Sequence, residues 1–139
     1  MILIPTIVLC ILFVTLAAIH IYWVLGGKWG WETAIPTRNG EPLFEPGRFQ
    51  TLMVAAALLA AMVVALWRGV YPDLGPIWIP HSGIWVITGI FTLRAIGDFQ
   101  YCGLFKKVRD TTFSRNDSRI YVPICLVIAG FALWLAVGL

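Results

Sequence analysis

Two opposite charges stand one helical turn apart in Arg94-Ala-Ile-Gly-Asp98-Phe-Gln-Tyr101-Cys-Gly103, at the end of a long apolar segment. A charge at the centre of a membrane helix costs about 2.5–3.5 kcal/mol on insertion scales, so ionisable residues there are candidates for function. At 3.6 residues per turn, Arg94, Asp98 and Tyr101 share one helical face. Arg94 suits an anionic group, and Asp98 suits orienting a ligand or exchanging a proton. The plainer reading is an internal i,i+4 ion pair that offsets its own cost of burial. On sequence alone that reading stands slightly ahead.

A second chemical stretch is His20-Ile-Tyr22-Trp23-Val-Leu-Gly26-Gly27, which ends the first apolar segment. Leu16, His20, Trp23 and Gly27 fall on one helical face. His20 beside a carboxylate would suit proton exchange, although a histidine bonded within the helix bundle is the plainer expectation. Tyr22 and Trp23 read first as interfacial anchors. If the two faces meet, they enclose a polar pocket with aromatic walls, formed by His20, Tyr22, Trp23, Arg94, Asp98 and Tyr101.

No nucleotide-binding glycine loop, nucleophile elbow, HExxH or CxxC occurs. No metal site is expected, because the two histidines belong to opposite ends of their segments. No cofactor follows from the residues. Cys10, Cys102 and Cys125 lie in or beside apolar segments without ligand spacing, and read as small packed side chains.

The elements that carry these residues follow from composition. Of 139 residues, 60% are hydrophobic and 12% charged, far from the roughly 25% charged of soluble domains. The apolar excess falls into four blocks, which predicts one domain, an all-α polytopic membrane protein with a bundle of four transmembrane helices. The spans are expected at about 2–25, 49–70, 80–103 and 120–139. The first does not read as a signal peptide, since it lacks a basic start and is too long. In the second, Ala56, Ala60 and Ala57, Ala61, Ala65 have the small-xxx-small spacing that lets helices approach closely. Asn39-Gly40 marks a turn in the first loop. Asn116, Asp117 or Ser118 is expected to cap the fourth helix, with Pro123 near its start.

The formal charge of +3 does not imply nucleic acid, because the basic residues sit in loops between spans. Lys28, Arg38 and Arg48 lie in the first loop, and Lys106, Lys107, Arg109, Arg115 and Arg119 in the third, against Arg68 alone in the second. The positive-inside rule then places loops 26–48 and 104–119 in the cytoplasm and both termini outside, in a bacterial inner membrane. The Lys106-Lys107-Val-Arg109 cluster reads as an orientation signal, with anionic lipid as the sharper alternative. Membrane lipids are the expected partners, with a homo-oligomer or a larger membrane complex as further possibilities.

The chain resembles a bacterial family of small integral membrane proteins known only as domain of unknown function 3995. The resemblance rests on His20-x-Tyr22-Trp23-x-x-Gly26-Gly27, Pro36, Leu93-Arg94-Ala-Ile-Gly97-Asp98-Phe with Gly103, and Thr112-Phe113 to Asp117 followed by Pro123. It covers nearly the whole chain and implies a four-helix membrane protein of similar length. It implies no activity.

The leading functional reading is a cytoplasm-facing polar and aromatic pocket for a small polar-headed ligand or lipid. One alternative is an accessory subunit of a membrane complex. Another is a lipid-modifying enzyme with His20 and Asp98 as an acid-base pair. The balance leans away from an enzyme, and four short spans leave little room for a transporter.

Overall fold

The apolar blocks fold as helices because a backbone in hydrocarbon must satisfy its hydrogen bonds within its own segment. A computed structural model describes residues 1–97 and 101–138. Three spans are single helices: α1 (Leu3–Val24), α2 (Arg48–Val70) and α3 (Trp78–Ile96). The fourth runs from Thr112 to Val137 as α4 (Thr112–Asn116), a π turn (Asp117–Tyr121) and α5 (Val122–Val137). All four are long and apolar enough to cross a membrane. The protein is a multi-pass integral membrane protein with an all-α bundle.

The helices occupy four corners. α1 packs on α2 and α5, and α3 packs on α5 and α2. Leu9, Phe13 and Ala17 of α1 meet Leu58 and Ala65 of α2, Ile84 and Ile87 of α3, and Ile128, Ala132 and Leu135 of α5. Phe13 reaches across to Phe91, with ring centroids 5.8 Å apart. Small residues set the close approaches. A Cβ on Gly69 of α2 would run into the Thr6 side chain of α1, and one on Gly83 of α3 would lie 2.8 Å from Val64. The outward faces stay apolar, as at Ile7, Ile11, Val86 and Ile90, all exposed, which is the inverse of a soluble bundle. Ala56 and Ala60 also face outward.

Two helix ends differ from expectation, and both differences shape the site. α3 stops at Ile96 and not at Gly103, because Gly97 adopts φ +86° and turns the chain. The chain comes back, and the N–H of Leu104 donates to the carbonyl of Ala95 at 2.8 Å. Gly103 then lies against Ile96 and Gly97, where a side chain on either glycine would strike backbone. Tyr101 is therefore not carried on the helical face of Arg94. The fourth span starts at Thr112, earlier than the expected 120. Thr111 is the cap, its hydroxyl accepting from the N–H of Ser114 at 3.0 Å.

In the first loop, Asn39-Gly40 closes a two-residue hairpin between β1 (Thr37–Arg38) and β2 (Glu41–Pro42), with both turn residues at positive φ.

Candidate functional site

Asp117 is the most buried carboxylate among the described residues, with no exposed surface. An ionised carboxyl at such depth needs partners, and it has three. Arg94 Nη2 donates to Oδ1 at 2.8 Å, the backbone N–H of Gly103 to Oδ2 at 2.7 Å, and Lys106 Nζ to Oδ2 at 3.1 Å. The Lys106 side chain is itself 1% exposed. Its ammonium spends its remaining protons on the Gly103 carbonyl at 3.2 Å and the Ser118 hydroxyl at 2.5 Å. Every donor of that ammonium is used. Arg94 keeps a third of its side chain exposed.

Three local features bring this cluster together. The glycine reversal after α3 turns the N–H of Gly103 toward Asp117. Lys106 follows three residues later and folds back over the same carboxylate. The π turn then sets Asp117 itself. Pro123 has no N–H to offer the preceding turn, and its ring crowds the carbonyl four residues back. The chain widens just before it, so the N–H of Val122 reaches the carbonyl of Asp117, five residues away. Asp117 is thereby held between α3 and the third loop. The cluster pins α3, the third loop and the fourth span to one another.

The second chemical stretch lies at the end of α1. His20 Nδ1 donates to the Leu16 carbonyl at 2.7 Å, since a carbonyl only accepts. The imidazole meets the Trp23 ring edge-on, with centroids 5.1 Å apart. Trp23 in turn stands at 73° to Trp31 at 5.5 Å. Its indole N–H donates to the Trp29 carbonyl at 2.8 Å, and the Trp29 N–H donates to the Tyr22 hydroxyl at 3.3 Å. The Tyr22 ring lies over Gly27, where no Cβ fits. The end of α1 thus carries an aromatic corner of His20, Trp23 and Trp31, tied back to its own helix.

Beside this corner opens a cleft of about 430 Å³ lined by Trp23, Gly26, Gly27, Lys28, Trp31, Glu32, Pro46, Arg48 and Thr51. The volume falls within the roughly 300–1,000 Å³ usual for small-ligand sites. The cleft holds two cations, one carboxylate and two indole rings. No hydrogen bond or ion pair engages the side chains of Lys28, Glu32 or Arg48 among the described residues. The two clusters are linked indirectly: Tyr121, at the end of the π turn, donates its hydroxyl proton to the Thr33 carbonyl in the first loop at 3.1 Å.

His20, Tyr22 and Trp23 are brought together at the end of α1, whereas Arg94 is engaged by Asp117, which Lys106 also bonds. No hydrogen bond joins the two sets among the described residues. Asp98 lies outside the described residues, and Tyr101 is half-buried beyond the end of α3. Among the described residues, the partner of Arg94 comes from 23 residues along the chain. Asp117 reads from sequence as a helix cap, and Lys106 as one of several orientation charges. What marks Asp117 in the sequence is its place at the end of the Thr112-to-Asp117 stretch that Pro123 follows. Among the described residues, no group of three His, Cys, Asp or Glu side chains could hold a metal ion.

No curated protein and no solved structure matches this chain. A family model described as "Protein of unknown function (DUF3995)" matches residues 13–132, most of the chain. The chain therefore belongs to the DUF3995 family.

Proposed function

We propose that this membrane protein binds a small polar-headed ligand or lipid in the cleft between the end of α1 and the start of α2. The cleft itself carries this reading: a ligand-sized space whose charged side chains have no partners among the described residues and whose walls are indole rings. Lys28 and Arg48 receive the anionic part, and Trp23 and Trp31 flank the ligand. His20 and Tyr22 hold Trp23 and its neighbour Trp29 in place. Arg94, with Asp117 and Lys106, serves to fix the architecture. In this reading the first and third loops face the cytoplasm of a bacterial inner membrane, so the cleft opens inward.

Native mass spectrometry of protein gently released from its membrane tests the proposal. The wild type carries a non-protein mass, and Trp31→Ala and Arg48→Ala lose it while the proteins remain folded. A wild type with no bound mass, or variants that keep it unchanged, refutes the reading. A second reading, an accessory subunit of a larger membrane complex, draws support from the outward-facing Ala56 and Ala60, whose spacing suits close helix packing. It predicts a protein companion in fixed stoichiometry in the same spectrum.

A further inference from the structure

The cleft carries charges of both signs. Lys28 and Arg48 oppose a single carboxylate, Glu32, and two indole rings stand nearly perpendicular beside them. The Trp23 N–H is already given to the Trp29 carbonyl, so what that indole offers a ligand is its ring. Indole faces attract cationic ammonium groups, and a carboxylate adds to that attraction. A purely anionic guest would be repelled by Glu32. A guest with a phosphate and an ammonium group matches both halves of the lining.

A second concavity lies beside the first, for the ring of Tyr22, which lines it, covers Gly27 of the cleft. It measures about 530 Å³ and is lined by Val14, Thr15, Ala18, Ile19, Tyr22 and Trp29. Val14 to Tyr22 covers roughly 12 Å of α1 at the helical rise, along a face turned toward lipid. Val14, Thr15 and Ala18 are exposed there. Trp29 lines the groove, and its backbone bonds Trp23 of the cleft and Tyr22 of the groove.

Resting on the reading of the cleft as a ligand site, we propose that its occupant is one zwitterionic phospholipid molecule. The phosphate is taken by Lys28 and Arg48, the ammonium by Glu32 and the Trp23–Trp31 corner, and one acyl chain lies in the groove along α1. Charge complementarity selects the headgroup, and the adjoining apolar groove selects a lipid over a water-soluble phosphate compound.

The test uses the full-length protein stripped of lipid in detergent, with affinities taken from the rise in Tm on titrating palmitoyl-oleoyl phosphatidylethanolamine or the phosphatidylglycerol with the same chains. Phosphatidylethanolamine binds more tightly. Glu32→Gln, an exposed and conservative change, weakens it about threefold, as expected for an exposed cation site, and does not weaken phosphatidylglycerol. Ala18→Trp, which fills the groove, weakens both. Equal or tighter binding of phosphatidylglycerol, or no effect of Glu32→Gln on phosphatidylethanolamine, overturns the proposal but leaves the cleft as a ligand site. Retention of phosphoethanolamine itself without either lipid also overturns it and keeps the cleft. If none of the three binds, and released protein carries no small molecule, both readings fall.

Discussion

Asp117 is the residue on which the loop-side end of the bundle depends. Removing one partner from a buried charge cluster costs about 3–5 kcal/mol, because the charges left behind lose their compensation. Asp117→Ala strands the buried Lys106 ammonium beside Arg94, and we expect a loss of that size in reversible unfolding in detergent. A loss under about 1 kcal/mol would mean that water reaches the cluster, against the full burial of Asp117. Lys106→Met should cost clearly less, because Asp117 keeps Arg94 and the Gly103 N–H. Gly103→Ala, which forces a side chain into the Ile96–Gly97 backbone at positive φ, should destabilise by about 1–3 kcal/mol in the same assay. An unchanged midpoint would show that the reversal relaxes freely. At this scale the sequence was only partly legible. Arg94 stood out because it is costly inside an apolar block. Asp117 and Lys106 did not, because a charge in a loop looks the same whether it faces water or folds inward. Only the chain reversal at Gly97 brings them to Arg94.

Among the elements, the π turn does two things at once. Its first residue presents Asp117 to α3, and its last, Tyr121, ties the fourth span to the first loop. Tyr121→Phe keeps the ring packing against Phe113, at 5.9 Å between centroids, and deletes only the bond to Thr33. A hydrogen bond of this kind is worth about 1 kcal/mol, so amide exchange across residues 28–36 should quicken about fivefold. Unaltered exchange would show that the first loop is held by other contacts. The spans were legible because apolar runs of this length have few other folds. Their ends were less so: the periodicity of α3 runs on past Gly97, and only the glycine's positive φ ends it. Pro123 was legible as a proline near a helix start. That it stands within a longer helix, with a widened turn before it, followed from the earlier start at Thr112.

For the whole molecule, four spans put both termini on one side and the two larger loops on the other. The eight basic residues in those loops and at the span ends beside them, against Arg68 alone on the other side, predict a cytoplasmic cleft and external termini. Reporter fusions at the C-terminus check this; a reporter active in the cytoplasm would reverse the orientation. The bundle joins two polar clusters on its loop side with different tasks. One is closed, its buried ammonium fully bonded, and holds helices together. The other is open, with aromatic walls and charges that have no partners among the described residues. On sequence alone the two read as one pocket, because both lie at similar depth. Nothing in the residue pattern places α1 and α3 at opposite corners of the bundle, or Arg94 against a carboxylate from the fourth span. The division of labour is tested most directly by an experimental density map of the protein extracted with its native lipid. Non-protein density is expected in the cleft beside Trp23, Trp31, Lys28 and Arg48, with Arg94 bonded to Asp117. An empty cleft with ligand density on Arg94 would contradict it.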